Sequence, residues 1–342
     1  MAKVVIHFGP PKTGTSAIQK WLVENESALK QRKILYPQHQ TDSNGVSSGN
    51  ATAIFNNPKK DKPRHARENK LKLKESCQLN NCNTLLFSSE LFMRKLPELA
   101  KLYPNARFIG YIRAPIDLLE SDYNQLVKRH SETNAFTEND RSADWQLDML
   151  STLIDDIGLD RFELRAYCPE AFLNGDLVAD FLNTVRPGLE SLVKDNTKGV
   201  NPSYSLQSLE FKRWLNQLSL ERTIERDIDK YLQSLTNGIN SYSLLAPDEY
   251  ETYRKASINS LTQFNSKYPI AGFEHLLNHV TNKQQKPFVQ QSISDDDFTH
   301  ILKGLLNSVS GASTGLKEAL SQSNVLANAP QRVKLAEALL NN

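Results

Sequence analysis

The chain has 342 residues, enough for one large α/β domain or a domain with a sizeable appendage. Lys plus Arg number 41 against 39 Asp plus Glu, so the near-zero net charge argues against a general nucleic-acid binder. No apolar run approaches the roughly 18 residues needed to span a bilayer, no leader with a charged start and apolar middle is read at the N-terminus, and three cysteines (Cys77, Cys82, Cys168) do not make a secreted disulfide framework. The expectation is a soluble protein of the cytoplasm, a reducing compartment.

In chain order, KVVIHFG (Lys3 to Gly9) reads as a buried strand. A helix is expected over Thr15 to Lys30, where Ile18, Trp21, Leu22 and Leu29 fall at roughly helical spacing. ILYP (Ile34 to Pro37), TLLFSS (Thr84 to Ser89), ARFIGYIR (Ala106 to Arg113) and RFELRAY (Arg161 to Tyr167) read as further strands, and GDLVADFLNTV (Gly175 to Val185) as a helix. Strands alternating with helices predict β-α-β units: a central parallel sheet between two helical layers. This core is expected over residues 1–220. From about Phe211 onward only helices are expected, including Pro247 to Pro269, a segment opened by Ser294 with acidic residues in its first turn, and QRVKLAEALL. Residues 221–342 therefore read as a helical C-terminal region. Thr41 to Asn50 and Ser308 to Gly315 are small and polar, hence loops.

HFGPPKTGTS (His7 to Ser16) lies between the first strand and the first helix. Gly9 and Gly14 have the spacing of a Walker A loop and Ser16 is in place, but Thr15 occupies the lysine position and the loop's lysine is Lys12. At a strand–loop–helix junction the amides of Gly14, Thr15 and Ser16 can point at an anion, and the helix dipole adds to the attraction. The displaced lysine argues against a nucleoside triphosphate and suits a shorter phospho-anhydride. A second element is YIRAPIDLLESDYNQ (Tyr111 to Gln125): Arg113 ends a strand, Pro115 opens a helix, and Ser121 lies on that helix. An arginine fork and a hydroxyl there can clasp a second, separate phosphate.

Together these motifs resemble the sulfotransferases that use 3′-phosphoadenosine 5′-phosphosulfate (PAPS), particularly bacterial and carbohydrate-modifying members. PKTGTS (Pro11 to Ser16) is similar to their 5′-phosphosulfate loop, and RAPIDLLESDY (Arg113 to Tyr123) to their 3′-phosphate motif. The resemblance implies a P-loop fold and no metal. It also implies that Lys12 touches the phosphosulfate, with Pro11, Thr13, Gly14, Thr15 and Ser16 as the cradle, while Arg113 and Ser121 hold the 3′-phosphate. TKGVN (Thr197 to Asn201) is a faint counterpart of a further family segment and adds Lys198 as a 3′-phosphate ligand. Ala17 stands where the family often has an adenine-stacking tryptophan, so the adenine contact is unassigned. The implied activity is sulfuryl transfer to a hydroxyl of a small-molecule or glycan acceptor, leaving adenosine 3′,5′-bisphosphate. The rivals are an ATP-dependent small-molecule kinase with a variant loop and a non-catalytic nucleotide-binding regulatory protein.

Glu90 directly follows TLLFSS, at the carboxyl end of a strand where open α/β sheets bind ligands, and is the expected general base. The alternative is a residue that only starts the next helix. His7 is read as packed within the sheet, Asp117 as structural, and His275 and His279 as two surface histidines. Cys77 and Cys82 are read as free thiols that would pair only if the intervening loop folds back. The basic run Lys59 to Lys74 reads as a solvated helix face, with acceptor contact as the alternative.

Overall fold

The computed structural model describes residues 2–39, 49–56, 63–137, 144–194, 204–322 and 330–341. The loop 41–48, Lys198 and residues 59–62 of the basic run lie outside them. In chain order the elements are β1 (Lys3–His7), α1 (Thr15–Glu24), α2 (Glu26–Gln31), β2 (Ile34–Leu35), α3 (Ala51–Ile54), α4 (Pro63–Leu79), β3 (Thr84–Ser88), α5 (Leu96–Leu102), β4 (Arg107–Ile112), α6 (Pro115–Arg129), α7 (Trp145–Ile157), β5 (Phe162–Ala166) and α8 (Leu177–Val185). They continue with α9 (Leu206–Leu215), α10 (Arg222–Ser234), α11 (Pro247–Lys267), β6 (Ile270–Ala271), α12 (Phe273–Asn282), α13 (Asp295–Ser308), α14 (Ala312–Gln322) and α15 (Pro330–Leu340).

The chain forms two compact units. The first comprises Met1–Leu118, Ser142–Val200 and Tyr253–Lys283 and carries a six-stranded parallel sheet in the order β2-β3-β1-β4-β5-β6. The central strands are β-branched, aromatic or leucine-rich because both their faces are covered. All five residues of β3 are buried, and in β4 only Arg107 is not. Val5, Ile109 and Tyr111 face a cluster with Ile18 and Trp21 of α1 and Val178, Phe181 and Leu182 of α8. An aromatic set lies apart from that cluster: Phe162 meets Phe8 and Phe108, and Phe87 meets Tyr103 at the end of α5. Gly110 makes room here, because a Cβ on it would stand 2.0 Å from the tip of the Phe8 ring. The α/β class, parallel sheet and flanking helices are those expected from the sequence.

Four expectations change. The loop expected over Ser308 to Gly315 is confined to 309–311, because α13 runs through Ser308 and α14 starts at Ala312. The helix over Thr15 to Lys30 is two helices, broken at Asn25, whose side-chain amide donates to Trp21 O at 2.9 Å. The C-terminal region holds a strand: β6 pairs with β5 through Leu164↔Ile270 and Arg165↔Ala271. Two residues at a sheet edge carry no periodicity, so the strand leaves no readable pattern. The units also do not follow the expected boundary at residue 220, since Tyr253–Lys283 belongs with the sheet.

The second unit comprises Leu119–Arg141, Asn201–Thr252 and Gln284–Asn342. Its core joins α9, α10, α13, α14 and α15, with Trp214 edge-on to Phe298 at 4.9 Å and Phe211 tilted against Phe298 at 5.1 Å. Ser294 caps α13, accepting from Asp297 N at 3.0 Å, as its sequence predicts.

A buried charge network fixes α8 in the first unit. Asp180, 1% exposed, accepts from Arg165 Nε at 2.7 Å, Arg165 Nη2 at 2.6 Å, Tyr111 Oη at 2.7 Å and Leu173 N at 3.1 Å. Four donors compensate the desolvated carboxylate, and removing its charge strands the guanidinium. Asp180→Asn is expected to lower unfolding free energy by about 3–5 kcal/mol, measured by urea denaturation. A loss under about 1 kcal/mol, the scale of an exposed pair, would show that the network contributes little.

Candidate functional site

The sheet order sets a topological switch point between β1 and β4. From β1 the chain goes to β2, beyond β3; from β4 it goes the other way, to β5. Neighbouring parallel strands whose connections leave in opposite directions form the topological switch point where open α/β sheets take ligands. Here that point lies past the carboxyl ends of β1 and β4. The loop from Gly9 to Gly14 follows the first strand and Arg113 follows the second.

The loop is tightly wound. Gly9, Lys12 and Gly14 have φ of 34°, 67° and 72°. A left-handed conformation at Lys12, which has a Cβ, costs roughly 1–3 kcal/mol, and its neighbours hold it there. Arg113 Nη1 donates to Lys12 O at 2.9 Å, Thr13 Oγ1 to Pro10 O at 2.6 Å, and Gln146 Nε2 to Pro11 O at 3.4 Å. Gly14 caps α1 with ψ of 15°, and neither a side-chain cap nor an acidic residue in the first turn neutralises that helix end. Its first intrahelical donors are Ala17 N and Ile18 N, both on Gly14 O, so the Thr15 and Ser16 amides precede the ladder. Thr15 Oγ1 is buried with no hydrogen-bond partner among the described residues. A buried orphan hydroxyl beside an uncapped helix N-terminus is the donor set that an anion completes. At Gly14 a Cβ would fall 2.2 Å from Leu177 Cδ2, so a side chain is excluded both by φ and by the start of α8.

Arg113 is half-buried, its guanidinium carbon 5.6 Å from the centre of the Tyr167 ring. Tyr167 N donates to Ile112 O at 2.8 Å, extending the β4–β5 ladder beneath it. Burial pushes the Tyr167 phenol up and the Arg113 charge opposes that. With one hydrogen bond spent on Lys12, the five-donor guanidinium has donors left for a ligand.

His7 closes β1. Its Nδ1 is 2.8 Å from Ser88 Oγ, and its ring packs 5.0 Å from Phe181 and edge-on to Tyr111. Ser89 N donates to His7 O at 3.1 Å, tying the end of β3 to β1 just before the loop. Glu90 comes next, half-buried, and opens a 3-10 helix over Glu90–Lys95 for which Ser89 is the cap. It thus stands at the carboxyl edge of β3, one strand over from the loop.

Lys12, Gly14, Thr15, Ser16 and Arg113 are therefore gathered past the carboxyl ends of β1 and β4. Ser121 lies further along α6, about 9 Å in axial rise beyond Pro115, and belongs to the second unit. Asp117, in the first turn of α6, accepts from Lys283 Nζ and lies 3.8 Å from His279 Nε2; His279 Nδ1 lies 3.3 Å from Glu170 Oε2. No group of three or more His, Cys, Asp or Glu side chains is arranged to hold a metal among the described residues. Sequence reasoning missed Gln146, Tyr167 and Leu177, which brace the loop from α7, the residue after β5, and α8. Each sits in an ordinary amphipathic or alternating segment, so no spacing signals its role. It also missed Asn50, whose Oδ1 accepts from Ser88 N at 2.9 Å at the end of β3.

No family model matches the chain, and no curated protein matches it. Among solved structures, a sulfotransferase from Alicyclobacillus acidocaldarius is similar over 78% of this chain and 95% of its own, with 12% identity and a TM-score of 0.37. A likeness that distant concerns the fold and assigns no chemistry.

The His7 ring sets a pH dependence. Fully buried, it is pushed down by desolvation from 6.5 to about 3. The unfolded chain binds a proton between those values that the folded chain refuses, so His7 contributes stability above pH 6.5 that is lost as pH falls. The expected slope is about 1.4 kcal/mol per pH unit below 6.5, read from urea unfolding between pH 6.5 and 4.5 and removed in His7→Gln. The same slope in wild type and variant would place the titration elsewhere.

Proposed function

We propose that the chain is a sulfotransferase that moves a sulfuryl group from PAPS to a hydroxyl acceptor, a glycan or glycolipid being the favoured class. The observation that carries this reading is the loop itself. It is an anion cradle at the switch point, with Lys12 on its strand side and Thr15 where a triphosphate-binding loop has its lysine.

The residues present suit such a donor. Pro11, Lys12, Thr13, Gly14, Thr15 and Ser16 would surround its 5′ end, with the Thr15 hydroxyl and the amides opening α1 as donors. Arg113 would take the 3′-phosphate, for which the resemblance also implies Ser121 and Lys198. When bound, PAPS supplies a sulfuryl group on a phosphate leaving group. Lys12 stabilises the negative charge that develops on the departing phosphate oxygen. Glu90 accepts the acceptor's proton as the new sulfur–oxygen bond forms and the old one breaks, its electron pair leaving on the phosphate. The loop's bracing by Arg113 and Gln146 keeps these groups in place without rearrangement during the reaction.

Two substitutions separate the roles. Glu90→Gln is expected to lower kcat roughly 10²-fold or more with donor affinity preserved. Lys12→Ala is expected to lower kcat more than it weakens donor binding, because its partner charge arises in the transition state. Both are read from radiolabelled sulfuryl transfer to a panel of glycans and from donor titration. A near-normal rate in Glu90→Gln would remove it as the base. A wild-type chain that binds the donor but transfers to no acceptor would favour a regulatory protein.

A further inference from the structure

The last turn of α4 and the residues after it read CQLNNC, Cys77 to Cys82. The helix closes with Asn81 in the left-handed region at φ 52°. Asn81 N donates to Gln78 O at 2.9 Å, and Cys82 N donates to Cys77 O at 2.8 Å. These are the 5→2 and 6→1 bonds of a Schellman motif, in which the residue after the left-handed one folds back over the last turn. Its side chain there meets the residue five positions earlier, normally as an apolar contact. In this chain both positions are cysteine, so the loop does fold back as pairing requires.

The backbone bond limits the separation. Cys82 N lies 2.8 Å from Cys77 O. Adding about 1.5 Å from N to Cα and about 2.4 Å from O to Cα caps the Cα separation at about 6.7 Å. Disulfides occupy roughly 4.4–6.8 Å. The Cys77 thiol already points towards its neighbour, with Sγ 3.2 Å from Cys82 O. The two differ in access: Cys77 is 1% exposed, whereas Cys82 is half-buried. Burial, then the neighbouring Cys82, pushes the Cys77 thiol up; burial also raises Cys82, opposed by the Lys30 ammonium. Cys82 is therefore the entry thiol and Cys77 the resolving one.

We propose that Cys77 and Cys82 form a dithiol site that reacts with a low-molecular-weight disulfide, such as glutathione disulfide, and closes to an intramolecular disulfide. The Cys82 thiolate attacks one sulfur of the oxidant and expels a glutathione thiolate, leaving a mixed disulfide. The Cys77 thiolate then attacks Cys82 Sγ and expels the second glutathione thiolate. The protein loses two electrons and two protons, and the oxidant becomes two glutathione thiols. Cys168, buried at the end of β5, stays out of the exchange. This site is independent of the proposed sulfuryl transfer.

The test uses the native full chain treated with glutathione disulfide, quenched with a thiol alkylator and digested with trypsin. Glu75 to Arg94 holds both cysteines with no internal Lys or Arg, so one peptide reports the pair. The expected product is that peptide two hydrogens lighter and unalkylated, restored to double alkylation by dithiothreitol. Cys77→Ser is expected to stop at the mixed disulfide on Cys82. In Cys82→Ser, Cys77 is expected to react at least tenfold more slowly than Cys82 does in wild type. A stable mixed disulfide in the wild type would overturn the proposal, as would a doubly alkylated peptide after prolonged treatment. Closure seen only in urea would overturn it too, because the native helix end would then not be what apposes the thiols.

Discussion

The carbonyl of Lys12 takes a hydrogen bond from Arg113, and the loop is organised around that contact. Lys12 sits at positive φ, a conformation a lone tripeptide would seldom adopt, and it reverses the chain between β1 and α1. α1 starts just after that reversal, at Thr15. Arg113 can reach the Lys12 carbonyl because β4 runs on to Ile112, past the His7↔Ile109 register with β1. A loop that binds an anion must hold several like-oriented dipoles together before the anion arrives. The cation at Arg113, the Gln146 amide and the Thr13 hydroxyl anchor that arrangement through the backbone carbonyls of the loop.

The layers beneath have the same logic. His7 is kept neutral and fully buried, bound to Ser88, so the end of β1 is rigid where the loop departs. Asp180 anchors α8 to β4 and β5 through Tyr111 and Arg165, and Leu177 at the start of α8 fills the space that a side chain on Gly14 would need. Core packing thus reaches the cradle directly: α8 both closes one face of the sheet and shapes the loop.

The strand–loop–helix unit was legible because Val4 to Phe8 is continuously apolar apart from His7 and the glycine spacing is local. The same holds for β3, β4 and β5, and for Arg113, which a strand end and a following proline mark together. The reading failed where the determinant was non-local. β6 is two residues long and becomes a strand only by pairing with β5; the break at Asn25 is local by contrast, made by a side-chain bond to Trp21 four residues back that no periodicity reveals. Gln146 and Tyr167 brace the loop from elements far away in sequence, and neither has a neighbour that flags it. The Cys77–Cys82 apposition is not legible in the sequence, because it depends on Asn81 adopting positive φ, which a sequence permits without dictating.

The proposed sulfuryl transfer requires this loop to receive a nucleotide bearing two separate anionic groups, without the triphosphate grip of a kinase. Isothermal titration calorimetry with adenosine 3′,5′-bisphosphate, adenosine 5′-phosphate and ATP–magnesium tests it directly. The tightest binding is expected for the 3′,5′-bisphosphate, by at least tenfold over adenosine 5′-phosphate, with ATP–magnesium weaker than the bisphosphate. Preferential binding of ATP–magnesium, or equal binding of the two adenosine phosphates, would contradict it.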